Sequence, residues 1–245
     1  MKKINMILSS ILVNAIYAMI NYPVLLINTL LAPISILAVV TFASKGTLLP
    51  IASLGALMMN MITSGVSLQG DLSHLKNDMK LQDMVVSSPT DQNIYLLGMA
   101  ISEIVYAIPT LSILFFINIL FVKINYIGWI LIIADLILVF SFSISLGFFL
   151  STISSDVVQS WAFSGIISPI LSTIPPVYYP ITFIPYPWRY LAYISPTTYA
   201  AEIAQDIVGY IKLSNFEFLL SWLILISFTI FTFYLGLKRS YWREP

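Results

Sequence analysis

The sequence predicts an all-α integral membrane protein with six transmembrane helices, on three observations. Of 245 residues, 59% are hydrophobic and only 9% charged, with a mean hydropathy of +0.93. Soluble globular chains carry about a quarter charged residues, so an ordinary soluble domain is excluded. The apolar residues gather in long runs, each close to the roughly 20 residues that a helix needs to cross a hydrocarbon core about 30 Å thick. The main interruption is a polar island, residues 70–93, which holds Asp71, Lys76, Asp78, Lys80, Asp83, Asp91 and the only histidine, His74.

In chain order, residues 1–22 read as an amphipathic helix lying in the membrane interface. Ile4, Ile7, Leu8, Ile11, Leu12, Ala15 and Ile16 share one face, and Asn21-Tyr22-Pro23 ends the helix. The stretch superficially resembles a signal peptide. However, Asn5, Ser9, Ser10 and Asn14 interrupt it and no small-residue cleavage site follows, so it reads as mature protein. Six spans follow: Val24–Ser44, Leu48–Gln69, Ile94–Val122, Ile127–Thr152, Val157–Ile174 and Phe216–Leu237. Only Lys45-Gly46-Thr47 separates the first two, which makes them a helical hairpin. Pro109 is expected to kink the third span, where Ser102 and Tyr106 are nearby polar groups.

An even number of spans puts both termini on one side. With that side cytoplasmic, it carries Lys2, Lys3, Lys76, Lys80, Lys238, Arg239 and Arg243, against Lys45, Lys123, Arg189 and Lys212 outside. The excess of basic residues inside favours this orientation and makes the island cytoplasmic. The chain is thus expected to be a multi-pass protein of the cell membrane with both termini cytoplasmic.

Several function classes fall away. Formal net charge is zero and no basic stripe exists, which argues against nucleic acid as a partner. There is no cysteine, hence no disulfide, thiolate metal site or cysteine nucleophile. No G-x-x-x-x-G-K-[ST] phosphate loop occurs, so the chain has no nucleotide cradle of that kind. A single histidine is too few for paired haem ligands or an H-E-x-x-H zinc site, so neither a catalytic nor a metal site is predicted.

Two acids lie inside spans, Glu103 in the third and Asp135 in the fourth. Intramembrane carboxylates are costly, which makes both candidates for a translocation path, although a purely structural role is equally open. Counted along the helices at 1.5 Å per residue, Glu103 is about 12 Å from the inner edge and Asp135 about 10 Å from the outer one, a height difference of roughly 8 Å that precludes a direct hydrogen bond.

Residues 175–213, between spans five and six, form a proline-broken, aromatic segment. Pro175, Pro176, Pro180, Pro185, Pro187 and Pro196 alternate with Tyr178, Tyr179, Tyr186, Trp188, Tyr190 and Tyr193. Aromatic side chains favour the headgroup level, so the segment is expected to be re-entrant or interfacial on the outer face, with a short helix over Thr197–Ile211.

Three regions together resemble the permease subunits of ATP-binding-cassette (ABC) transporters of the type-2 exporter family. In the island, Leu81-Gln82-Asp83-Met84-Val85-Val86-Ser87-Ser88-Pro89 followed by Tyr95-Leu96-Leu97-Gly98 is similar to that family's coupling segment. In the fourth span, Phe140-Ser141-Phe142-Ser143-Ile144-Ser145-Leu146-Gly147 resembles its small-residue run ending in Leu-Gly. Tyr179-Pro180-Ile181, Ile184-Pro185 and Ile194-Ser195-Pro196-Thr197-Thr198-Tyr199-Ala200 resemble its outer signature; this motif is represented by Tyr179, Pro180, Pro185, Pro196 and Tyr199. Where the family often has Glu-Gly before the coupling leucines, Asp78-Met79-Lys80 stands, and Gln205-Asp206 replaces a common arginine.

The resemblance implies that residues 1–245 form a single permease domain acting as a half-transporter. Its partners would be two separate ABC ATPase subunits, which carry the ATP and magnesium, a second permease subunit and membrane lipid. The chain itself would hold no cofactor and would not be an enzyme. A helix over about Leu72–Met84 would dock the ATPase through Leu72, Leu75, Asp78, Met79, Asp83 and Met84, with the acids meeting basic residues of the partner. Type-2 permeases move lipids, saccharides and drug-like amphiphiles, and an amphiphile suits these apolar spans. The alternative is a secondary proton-coupled carrier using Glu103 and Asp135, although no inverted repeat is visible. An intramembrane enzyme is the weakest reading, because no nucleophile–base pair can be named.

Overall fold

A computed structural model of the chain describes residues 2–77 and 92–239. All regular structure among them is helical. The N-terminal helix comprises α1 (Lys2–Ile11), a π-helical stretch (Leu12–Ile16) and α2 (Tyr17–Asn21). It stops at Tyr22, whose φ of −129° and ψ of 60° leave the helical region. The following proline causes the break, because its ring disfavours helical geometry in the preceding residue and itself suits the first turn of a new helix. That helix is α3 (Pro23–Ala43).

The α3–α4 turn is closed by Lys45 and Gly46, both at positive φ, with the Gly46 amide donating to Thr41 O at 2.8 Å. Gly46 adopts φ +84° in open space, the geometry that a glycine accepts without steric cost. From there α4 runs from Leu49 to Asn77 as the central helix of the bundle and packs against α3, α5 (Gln92–Phe121), α6 (Tyr126–Ser151) and α7 (Val157–Thr173). Asn125 caps α6 by accepting from the Gly128 amide, and Asp156 caps α7 by accepting from the Gln159 amide, each at 2.7 Å.

Close helix contact rests on small residues. A Cβ on Gly65 of α4 would lie 2.4 Å from Ser143 Cβ, and one on Gly147 of α6 would lie 2.8 Å from Gly65 O. The small-residue run in the fourth span is thus the seam between α4 and α6. Lipid offers helices no hydrophobic drive to associate, so such backbone approach is how they gain packing energy.

Beyond α7 the chain makes a short 3₁₀ turn (Ile181–Phe183), α8 (Arg189–Ala192) and α9 (Pro196–Val208), then α10 (Asn215–Arg239). α9 starts with Pro196 and ends at Val208, three residues before the expected Ile211, closed by Gly209 at a left-handed φ of +84°.

By length and composition, five helices among the described residues are apolar enough to cross a membrane: Lys3–Asn21, Leu49–Leu75, Ile94–Phe121, Tyr126–Ser151 and Asn215–Arg239. Four of them are the expected spans two, three, four and six. The first expected span lies in α3, where Thr29–Ala43 is a shorter apolar helix. The fifth is α7, whose 17 residues reach about 25 Å, short of the core thickness. The N-terminal helix is the unexpected member. Of its polar residues, Ser10 and Asn14 turn to α5, while Lys3, Asn5 and Ser9 are exposed along with Ile4, Leu8 and Leu12.

Candidate functional site

At one end of the bundle, α4 and α5 face each other through polar side chains. Ser67, Asp71 and His74 follow at helical spacing on α4; Tyr95, Glu103 and Tyr106 do so on α5. Glu103 is 5% exposed. Ser67 Oγ donates to its Oε2 at 2.9 Å, and the carboxyl groups of Asp71 and Glu103 are hydrogen-bonded to each other. Two carboxyl groups can bond in this way only if at least one carries a proton, since carboxylates are acceptors alone. Asp71 was legible as an island charge but not as the partner of Glu103.

This pairing changes the expected end of span two. The expected break after Gln69 and a fresh helix from Leu72 are replaced by one continuous helix to Asn77. With Asp71 bonded to Glu103, its charge does not require the chain to leave the helix. Leu72 and Leu75, expected to face a partner groove, are half-buried against Leu68, Met99 and Phe148. Asp78, Met79, Asp83 and Met84 lie outside the described residues, as does the Ser87-Ser88-Pro89 motif.

The N-terminal helix braces the other side of α5. Asn14 Nδ2 donates to Met99 Sδ at 3.2 Å, and Ser10 Oγ lies 3.4 Å from Ser102 Oγ. Gly98 permits this, because a Cβ there would come within 3.0 Å of Ser10 Cβ. On the opposite side of α4, Gln69 Nε2 donates to Ser160 O of α7 at 2.8 Å and to Ser164 Oγ. The same turns of α4 and α5 therefore touch the first helix, the seventh and each other.

Glu103 and Asp135 do not meet. Asp135 of α6 is completely buried, and neither carboxyl oxygen has a hydrogen-bond partner among the described residues. Gly128, seven residues earlier on the same face of α6, approaches Ile207 of α9. A separate apolar groove of about 270 Å³ opens between α4, α5 and α6, lined by residues that include Leu57, Met61, Leu111, Phe115 and Ile137. Its one hydroxyl, on Ser112, bonds back to Ile108 O, so the groove presents a largely apolar lining.

At the far end, the proline-broken segment descends beside α4. Tyr178 Oη donates to Met59 Sδ at 3.0 Å, and Met59 is ten residues, about 15 Å, along α4 from Leu49. A Cβ on Gly55 would come within 2.6 Å of Val177 O, so this glycine admits the descending chain. Gln205 of α9 holds the segment, donating to Pro176 O at 2.7 Å and Tyr179 O at 3.1 Å. The motif residues form one frame. Pro185 O accepts from the Trp188 amide, Pro196 starts α9, and Tyr199 Oη donates to Tyr193 O. Tyr193 Oη in turn donates to Glu202 Oε1 at 2.7 Å. Burial raises the Glu202 carboxyl above its usual range; the Tyr193 hydrogen bond works against that and the Glu217 charge adds to it. Burial, together with Glu202, raises the Tyr193 phenol as well.

A family profile described as "ABC-2 type transporter" matches residues 4–208, which include the N-terminal helix, the polar pair and α9. No match was found among curated proteins.

Proposed function

Given that the chain belongs to the ABC-2 type transporter family, we propose that it is the membrane half of an ATP-driven exporter for an amphiphilic substrate. The coarser part is plain: the chain is a multi-pass membrane protein and a permease subunit of an ABC transporter, a kind of subunit that works with ABC ATPase subunits and has no nucleotide site of its own. The single observation that carries the finer reading is the family match extending over both the N-terminal helix and the helices α4 and α5 that flank residues 78–91. In this reading the chain makes six spans in the cell membrane, with both termini and residues 78–91 in the cytoplasm. Separate ATPase subunits dock on residues 78–91. ATP-driven closure of those subunits moves α4 and α5 as levers, and substrate passes along an interface with a second permease subunit. The largely apolar groove between α4, α5 and α6 suits a substrate with a hydrocarbon portion.

The test begins with the full chain in its native membrane. Affinity capture is expected to bring down a nucleotide-binding subunit, while the chain purified alone hydrolyses no ATP. Replacing Asp83 and Met84 by alanine together is expected to leave ATP turnover in the complex while transport falls. Normal coupling in that variant would overturn the docking role. The proton-coupled carrier gains no support from geometry, because Glu103 turns to Asp71 and not to Asp135.

A further inference from the structure

The hydrogen-bonded carboxyls of Asp71 and Glu103 join α4 and α5, the two helices that flank residues 78–91. We propose that this pair is a proton-binding site, in which a proton held by Glu103 is donated to the Asp71 carboxylate and latches that end of α4 to α5. Loss of the proton leaves two carboxylates side by side, and their repulsion opens the joint.

Position assigns the proton to Glu103. It is the more deeply buried acid, and its Oε2 already accepts from Ser67. An ionised carboxylate there would be buried without a cation among the described side chains. Asp71 is the more accessible of the two, and His74 stands three residues further along the same face of α4. An O–H donor facing a carboxylate makes a charge-assisted bond, roughly twice as strong as one between neutral groups. Breaking it by deprotonation replaces attraction with repulsion between like charges in a poorly solvated site.

Among the described side chains, few other charges surround the pair. From α5 come the phenols of Tyr95 and Tyr106, and from α4 the Ser67 hydroxyl and His74. The N-terminal helix presents uncharged Ser10 and Asn14 to α5, and its Lys3 is exposed. α6 contributes uncharged Ser143 and Gly147 to its seam with α4. α7 contributes Ser160, Trp161 and Ser164, while its first acid, Asp156, accepts from its own helix.

Infrared spectroscopy of the full chain in lipid nanodiscs reads the proton directly through the carbonyl stretch of protonated carboxyls. Glu103→Gln is expected to remove a strongly hydrogen-bonded acid band. Asp71→Asn is expected to keep an acid band but shift it to the frequency of a weakly bonded carboxyl, and Asp135→Asn leaves the band in place. An acid band unchanged by Glu103→Gln, or unshifted by Asp71→Asn, would overturn the site. Hydrogen exchange at the amides of residues 94–100 reads the latch. The double variant Asp71→Asn with Glu103→Gln is nearly isosteric, keeps a hydrogen bond at every pH and leaves that peptide unaltered. The ratio of wild-type to double-variant exchange is expected to rise as pH rises; a ratio independent of pH would overturn the latch.

Discussion

Ser53 of α4 and Asn118 of α5 exchange two hydrogen bonds at the end of the helix pair opposite Asp71 and Glu103. Ser53 Oγ donates to Asn118 Oδ1 at 3.0 Å, and Asn118 Nδ2 donates to Ser53 O at 2.8 Å. Both residues are fully buried. The two helices are therefore clasped at one end by uncharged groups and at the other by acids. Only the acidic clasp responds to pH, which makes the Ser53–Asn118 end the natural fulcrum. Asn118→Leu removes the donor and the acceptor together and leaves Ser53 Oγ with Pro50 O as its remaining acceptor, at 2.9 Å. The expected cost is about 1–2 kcal/mol, read as a lower thermal midpoint of the chain in nanodiscs, with no change in its pH dependence.

Gly65 and Gly165 make a matched pair of tests on helices of the same bundle. A Cβ on Gly65 would overlap Ser143 Cβ at 2.4 Å and crowd the Ile144 backbone, whereas nothing lies within 4 Å of one on Gly165. Gly65→Ala is therefore expected to push α4 from α6 at a cost of about 1–3 kcal/mol. Gly165→Ala is expected to be neutral or stabilising by up to about 1 kcal/mol, through helix propensity alone. Equal midpoints for the two variants would remove the argument that small residues set the α4–α6 spacing.

What could be read in the sequence and what could not divides along the range of the interactions involved. The membrane character, the turn at Lys45 and Gly46 and the start of α9 at Pro196 follow from hydropathy and from backbone preferences within a few residues. The match of Glu103 to Asp71 does not, because it depends on how two long helices are rotated against each other. Without that partner, Gly70-Asp71 looks like the end of a span, and the island begins too early. Gln205 was visible only as a departure from a family pattern. Its role as the anchor of Pro176 and Tyr179 appears once the segment is seen to double back along α4. The partners of Ser10 and Asn14, which are Ser102 and Met99 on a helix far along the chain, do not follow from the local pattern of the N-terminal helix either.

Gln205→Glu keeps the shape of the side chain and removes its donors. Gln205 is 2% exposed and its Nε2 serves both Pro176 O and Tyr179 O. A carboxylate there would place acceptor against acceptor, and a protonated acid could serve only one of the two carbonyls. The expected cost is about 1–3 kcal/mol. It is expected to be local, appearing as faster hydrogen exchange and protease cleavage over residues 175–195 while α4 and α6 stay protected. Unchanged protection of that segment would mean that Tyr178 against Met59 and Val177 against Gly55 hold it unaided.

Glu202 supplies a pH test independent of the acidic clasp. Its folded-state affinity for a proton is raised, first by burial and further by the Glu217 charge, with the Tyr193 hydrogen bond opposing. A carboxyl that binds its proton more tightly in the folded chain than in the unfolded one stabilises the fold when protonated. That contribution is complete below the unfolded value and is lost as pH rises through the window up to the raised folded value; above the window it stays lost. Glu202→Gln retains an oxygen for Tyr193 Oη to donate to and has no proton to lose. The thermal midpoint of the variant is therefore expected to fall less steeply than that of the wild type across that window and to lie above it at neutral pH. A variant that is less stable than the wild type at neutral pH, with the slope unchanged, would mean that the charged carboxylate is a stabilising partner of Tyr193 and that burial does not dominate its environment.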